Sequence, residues 1–324
     1  MDDEVLPLVY GEEERAALEQ VAALVAPPLS ALTLQTHAVD LQRVEAVFSS
    51  WGMPVVDAAL LNRLPRCRVI FHAAGTVRPF VTPDLWSRGM RLTSAAEANA
   101  IPVAEYTLAA IIFSLKHAWQ RLFELRVRGE YRRTDPTMPG AFESTVGLLS
   151  LSRIGRLVAE RLRSLDVRVI AYDPVIDPGV ARILGVELCT LEQIFQRADV
   201  ISCHMPLLPE TAEVLRASHF SAMKPGAVFI NTARGGVVHE TEMLQVLRRR
   251  PDIFAVLDVV QSEPVTLTSP LLALPNVVVT PHIAGSLGPE CRRMGRFMIA
   301  EARRYLAGES LQGEVIVKQM EYSA

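Results

Sequence analysis

The chain has 324 residues, 50% of them hydrophobic and 21% charged, with a formal net charge of -3. That length accommodates two domains of ordinary size, each with its own core, while the small net charge leaves no electrostatic footprint for nucleic acid. The acidic start MDDEVLPLVYGEEE is unlike a secretory signal, and the longest apolar candidate for a membrane span, around residues 107–115, falls short of the roughly 20 residues a bilayer requires, so a cytoplasmic protein without nucleic-acid or membrane partners is expected.

In chain order, the short apolar runs LPLVY, ALTL, EAVFS and CRVIFH are predicted as strands, with a helix over residues 12–24. They suggest a small doubly wound domain. Residues 128–144, RGEYRRTDPTMPGAFES, are rich in turn formers and read as a loop. From Thr145 onward, VGLLS, VRVIAY, VEL, ADVISC, AVFIN, FAVLDV and NVVVT alternate with helical patterns, the signature of a parallel sheet covered on both faces. Ile154, Leu157, Val158, Leu162 and Leu165 recur at helical spacing after the first of these runs, and residues 291–306 form a last amphipathic helix. The fold class is therefore α/β, with two doubly wound parallel-sheet domains, the larger a Rossmann-type domain centred on residues 145–284. Cys67, Cys189, Cys203 and Cys291 show no metal-ligand spacing, so neither a metal nor a disulfide is expected.

Three stretches late in the chain carry chemistry: NTARGGVV with Arg234, LDVVQSEP with Glu263, and TPHIAG with His282. Each follows or closes a β-branched apolar run, and residues just past the carboxyl ends of parallel strands line one crevice. Reduction of a carbonyl by hydride needs a cation on the oxygen and a proton donor that titrates near neutrality. Arginine supplies the first, histidine the second, and a carboxylate such as Glu263 stabilises the imidazolium.

Those three stretches, in that order, resemble the D-isomer-specific 2-hydroxyacid dehydrogenases from about Ala73 to about Leu306. The resemblance implies that Arg234 polarises the substrate, His282 is the general acid/base and Glu263 its carboxylate partner; related formate dehydrogenases carry Gln where Glu263 stands. It also implies a discontinuous, flavodoxin-like substrate domain of residues 1–112 and 289–324, a Rossmann NAD-binding domain of residues 113–288, and a homodimer using the 128–144 arm. The substrate carboxylate would meet Gly75 and Thr76, with Arg78 available for a second acidic group, although this AGTVR run departs from the usual family form. Asn99 and Glu105 read as structural support.

The cofactor site is where the family pattern breaks. A glycine-rich turn lets backbone approach the pyrophosphate at a helix N-terminus, and the family form is GxGxxG. Here the run is Ser150-Leu151-Ser152-Arg153-Ile154-Gly155, with one glycine of three. The serines either hinder the phosphates or replace lost contacts with their hydroxyls, with Arg153 as a further phosphate partner. Asp173, after the second strand, sits where an acid binds the adenine ribose and favours NAD over NADP. By resemblance His204, Pro206, Thr211, Thr232, Ala233 and Asp258 line the rest of the cleft. An NAD-dependent oxidoreductase acting on a 2-keto or D-2-hydroxy acid leads, with an NAD-responsive corepressor-like binding protein or a pseudoenzyme as alternatives.

Overall fold

The computed structural model describes residues 1–36, 41–131 and 138–317. The chain divides into two compact units, Met1–Ala100 with Ser286–Ala324, and Ile101–Gly285. In the first unit, strands β1 (Ala46–Ser49), β2 (Val69–His72) and β3 (Arg91–Ser94) form a parallel sheet in that order. The central strand β2 is buried along its whole length. Val69 and Phe71 pack with Met294, Met298 and Ile299 of the helix Cys291–Leu306, while Ile70 packs with Leu61, Leu85 and Leu92 on the opposite face.

Here the short apolar runs of the sequence mislead twice. LPLVY and ALTL are not strands: they lie in the helices Leu6–Val9 and Ala31–Thr36. Short apolar runs do not distinguish helix from strand, and local chemistry decides. Pro7 sits in the first turn of Leu6–Val9, where its missing N–H costs nothing. Ser30 and Thr33 exchange hydroxyl and backbone hydrogen bonds at the start of Ala31–Thr36. The helix expected over residues 12–24 ends at Glu19. Strand β3 was not foreseen, because RLTS carries a charge and almost no apolar run; its Arg91 is held by Glu314 at 2.7 Å.

The second unit holds seven parallel strands: β4 (Thr145–Leu149), β5 (Arg168–Tyr172), β6 (Glu187–Leu188), β7 (Val200–Cys203), β8 (Val228–Asn231), β9 (Phe254–Leu257) and β10 (Val277–Val279). All seven coincide with the predicted runs. Their order, β10-β9-β8-β7-β4-β5-β6, is that of a doubly wound Rossmann sheet, with the reversal of direction between β4 and β7. Strands β7, β8 and β9 are buried at every residue, and two apolar layers cover the two faces. Such strands are continuous hydrophobic runs for that reason.

One expectation is corrected by the helix Ala96–Leu115, which runs for 20 residues through Pro102 and is apolar and long enough to cross a membrane by length and composition alone. Ala104, Ala110, Ile111 and Leu115 are packed into the core of the second unit. Of the 128–144 arm, residues 132–137 lie outside the described residues.

Candidate active site

In a parallel sheet all carboxyl ends face the same edge, and in the second unit that edge collects Arg234 after β8, Glu263 after β9 and His282 after β10. His282 Nδ1 lies 2.8 Å from Glu263 Oε2. The other carboxylate oxygen accepts from the Val260 backbone N–H at 3.1 Å, which fixes the acid's direction. Arg234 is partly buried, its Nη1 donating to the Ala233 carbonyl at 2.7 Å. Burial draws its guanidinium below the ordinary arginine value, while the nearby Glu263 charge acts in the opposite direction. Arginine has such a high starting value that it stays a cation.

Gly235 explains how the first two stretches come together. A Cβ on it would lie 1.9 Å from the Val260 carbonyl carbon, so only glycine lets the loop after β8 press against the loop after β9. That is the loop whose Val260 N–H orients Glu263. The motif NTARGGVV was visible in sequence, but this role of its glycine was not.

His282 has φ of 55°, a left-handed conformation that costs a non-glycine residue about 1–2 kcal/mol. Its loop is held by Asp258. The His282 backbone N–H donates to the Asp258 carbonyl at 3.0 Å. The Asp258 carboxylate accepts from Thr280 Oγ1 at 2.6 Å, Ile283 N at 2.8 Å and Ala284 N at 2.9 Å. Tyr106 extends the chain, its hydroxyl 2.9 Å from Thr280 Oγ1. Asp258 was read in sequence as lining the cofactor cleft; in the structure it is buried and braces the turn that presents His282. Thr280 and Tyr106 were missed, because nothing in their spacing marks them.

At the other end of the same edge, the turn after β4 runs through Ser150 to Gly155 into the helix Arg153–Leu162. Ser150 adopts φ of 77°, the conformation a glycine there would take freely. Its hydroxyl accepts from Ser152 N at 3.1 Å and donates to Asp173 Oδ2 at 3.2 Å. Ser152 Oγ donates to the His204 carbonyl at 2.9 Å. Both hydroxyls therefore bond protein atoms. Asp173 accepts from Leu151 N at 2.7 Å with one oxygen and from Val175 N and Ile176 N, each at 3.0 Å, with the other. With Ser150 these fill about the four acceptor positions of a carboxylate.

The residues predicted to line the cleft gather at the ends of β7 and β8. His204 is buried and its Nε2 lies 3.1 Å from Ser202 Oγ; burial pulls the imidazole down to about 3, so it is neutral. Its Nδ1 has no hydrogen-bond partner among the described residues. Thr211 Oγ1 closes the following turn, accepting from Leu208 N at 2.8 Å and donating to the Pro206 carbonyl at 2.6 Å. Thr232 pairs with Thr107 at 3.0 Å, and Ala233 is buried beside it. Arg153 is exposed and Ile154 partly buried.

This end fits a dinucleotide. A Cβ on Gly155 would lie 2.1 Å from the Ser150 carbonyl oxygen, so the one retained glycine keeps the helix start close against the turn. The helix presents its free N–H groups and positive dipole end at the carboxyl edge. The unpartnered His204 Nδ1 borders the reversal point between β4 and β7, where such ligands bind.

In the first unit, Gly75 and Thr76 are half-buried in the loop after β2, and Arg78 is exposed. Neither Gly75 nor Thr76 donates its backbone N–H to another described residue. Asn99 lies beneath them: a Cβ on Gly75 would be 3.3 Å from its Nδ2, and its Oδ1 accepts from Ser286 N at 2.9 Å. In the second unit Glu105 stands 3.8 Å from Arg161.

Against this geometry, residues 109–284 match the model of the D-isomer specific 2-hydroxyacid dehydrogenase NAD-binding domain. The chain belongs to this family. It is 34% identical over 262 residues to a D-3-phosphoglycerate dehydrogenase of Mycobacterium leprae (strain TN), an alignment that covers 81% of this chain and 49% of that protein. The chain thus spans about half the length of the curated relatives it matches. A solved D-isomer specific 2-hydroxyacid dehydrogenase from Lactobacillus delbrueckii ssp. bulgaricus, in an NAD-complexed form, superposes with a TM-score of 0.79 over 98% of both chains at 21% identity. A solved protein from Thermus thermophilus has a TM-score of 0.73 and 26% identity, covering 93% of this chain and 96% of that one.

Proposed function

We propose that this chain is an NAD-dependent dehydrogenase that interconverts a 2-keto acid and a D-2-hydroxy acid. The observation that carries the proposal is the 2.8 Å pairing of His282 with Glu263, on the same sheet edge as a partly buried arginine and the dinucleotide turn. NAD, when bound, takes or supplies the hydride. Arg234 holds the carbonyl oxygen and stabilises charge growing on it. With Nδ1 bonded to Glu263, the imidazole has Nε2 left to deliver the proton to that oxygen, and to remove it in the reverse direction. Acid–base help of this kind contributes about 10²- to 10⁴-fold in rate. Gly75 and Thr76 offer their backbone N–H groups to the substrate carboxylate, and Arg78 serves a second acidic group.

In this reading the first unit binds substrate and the second binds NAD through Ser152, Arg153, Ile154, Gly155, Asp173, His204, Pro206, Thr211, Thr232 and Ala233. The enzyme acts in the cytoplasm as a homodimer formed through the NAD-binding unit. Supporting the dimer are Leu122, Leu125, Val127, Tyr131 and Phe142, large apolar side chains exposed in the stretch of chain that precedes β4; exposed apolar side chains are what association surfaces use. The test is a panel of 2-keto acids followed by loss of NADH absorbance, repeated with NADPH. Turnover of at least one keto acid, with a D-configured product, is expected. NADH binding with no turnover across the panel would overturn the assignment in favour of a binding protein.

A further inference from the structure

Asp173 follows β5, where the acid of a dinucleotide fold accepts a hydrogen bond from the 2′-hydroxyl of the adenine ribose. That contact needs a lone pair the protein has left open, and an ionised carboxylate has about four acceptor positions, two on each oxygen. Here Oδ1 takes the backbone N–H groups of Val175 and Ile176, each at 3.0 Å. Oδ2 takes the Leu151 N–H at 2.7 Å and the Ser150 hydroxyl at 3.2 Å. Both oxygens are filled by protein donors.

The hydroxyl is the one member of this set that a side chain supplies. Its direction is fixed: Ser150 Oγ accepts from the Ser152 N–H at 3.1 Å, and an ionised carboxylate has no proton to give, so the Ser150 O–H donates to Oδ2. A glycine at position 150 has no hydroxyl, and with the three backbone donors in place it would leave one position on Oδ2 open. Ser150 also carries φ of 77°, and a non-glycine residue persists in that region only where its surroundings hold it there; the two bonds of its hydroxyl contribute to that hold. We propose that Ser150 is a specificity-determining residue: its hydroxyl occupies the acceptor position through which Asp173 would read the ribose, so that Asp173 braces the phosphate turn and the cofactor is bound without recognition of its 2′-hydroxyl. This role rests on the NAD-binding part of the proposed function and not on turnover. It changes the part expected of Asp173 from ribose acceptor to positioning residue.

The deciding experiment is a pair of calorimetric titrations, one with NADH and one with its analogue lacking the 2′-hydroxyl of the adenosine ribose. In the parent protein the two Kd values should agree within about twofold, since no hydrogen bond to Asp173 is lost. In Ser150→Gly one position on Oδ2 opens, and the analogue should bind about tenfold more weakly than NADH, the effect of one hydrogen bond to a charged group. Asp173→Ala should weaken both ligands by the same factor, because its effect passes through the turn and is not coupled to the hydroxyl. A tenfold preference for NADH in the parent overturns the proposal. So does an unchanged ratio in Ser150→Gly, or an Asp173→Ala loss larger for NADH than for the analogue. Amide hydrogen exchange without ligand tests the bracing role by itself: the N–H groups of Leu151, Val175 and Ile176, all bonded to Asp173, should exchange faster in Asp173→Ala, and unchanged exchange removes that role. Failure of the parent to bind either ligand overturns the NAD reading and the ribose assignment together, while faster exchange would still leave Asp173 as the brace of the turn.

Discussion

Two histidines stand on the carboxyl edge of one sheet and have little else in common. His282, after β10, keeps 54% of its side chain exposed and faces Glu263 at 2.8 Å. His204, after β7, is 4% exposed, has the Ser202 hydroxyl as its one ring hydrogen-bond partner among the described residues, and is held near 3 by burial. A general acid must exchange protons with water and must find its charged form stabilised. The dry ring has neither property, so it packs the floor beneath the phosphate turn while its carbonyl receives Ser152. Placement at a strand end does not make a histidine catalytic; access and countercharge do.

The largest expected effect separates these two directly. His282→Ala should lower kcat/KM by about 10²- to 10⁴-fold, and Arg234→Ala by about 10²- to 10³-fold through loss of charge stabilisation. NADH affinity by fluorescence titration should be nearly unchanged in both. His204→Gln should lower kcat by less than about tenfold and act mainly on cofactor affinity, since its loss costs no proton transfer step. A loss of turnover in His204→Gln as large as that in His282→Ala would erase the distinction.

Next comes the phosphate end. Gly155→Ala places a Cβ 2.1 Å from a backbone oxygen of the turn, which neither neighbour can yield cheaply. Overpacking of this kind costs about 1–3 kcal/mol, and NADH affinity should fall by at least about tenfold, measured by calorimetry alongside a urea midpoint. Normal affinity in a folded Gly155→Ala protein would mean that the turn does not need its close approach to the helix.

How much of this was readable in the chain differs between the units for a physical reason. Strands such as Val228–Asn231 and Phe254–Leu257 are buried on both faces, so they appear as continuous apolar runs, and the residues that follow them could be located from sequence. In the smaller unit LPLVY and ALTL are equally apolar, but Pro7 and the Ser30–Thr33 pair turn them into helices, and RLTS forms a strand through its neighbours. Arg234, Glu263 and His282 were legible because charge and imidazole are rare at strand ends. Asp258 was legible as a residue and not as a role, since its bonds to Thr280, Ile283 and Ala284 depend on how a loop folds back.

A smaller effect follows from the dry histidine's charge. His204 takes its proton near 3 in the folded protein and near the ordinary 6.5 when unfolded. Its contribution is therefore fully present above about pH 6.5 and is lost progressively as the pH falls toward 3, because the unfolded chain binds a proton that the folded one refuses. The slope is about 1.4 kcal/mol per pH unit. His72, near 4 in the folded protein, adds a second proton over most of the same window. Urea midpoints between pH 6.5 and 4.5 should therefore depend on pH less steeply in His204→Gln than in the parent, by about one proton. An unchanged slope would mean that the ring is protonated where it sits.

The smallest effect tests whether the serines of the turn obstruct the cofactor or have rebuilt its support. In Ser150→Gly/Ser152→Gly, the left-handed strain at position 150 is relieved, a gain of about 1–2 kcal/mol. Against this stand three lost hydrogen bonds: Ser150 to Asp173, Ser152 N–H to Ser150, and Ser152 to the His204 carbonyl. At about 0.5–1.5 kcal/mol each, with about 0.5–1 kcal/mol more for each flexible glycine, the losses exceed the gain. Both hydroxyls are engaged with protein atoms, so removing them clears little space for a phosphate. The double variant should bind NADH as well as the parent or up to about tenfold more weakly, and Asp173, deprived of one of its donors, should hold the turn less firmly. Calorimetric titration of the two proteins decides the matter: tighter binding in the glycine variant would mean that the serines are obstacles, and that the internal bonds of the turn are incidental to cofactor binding.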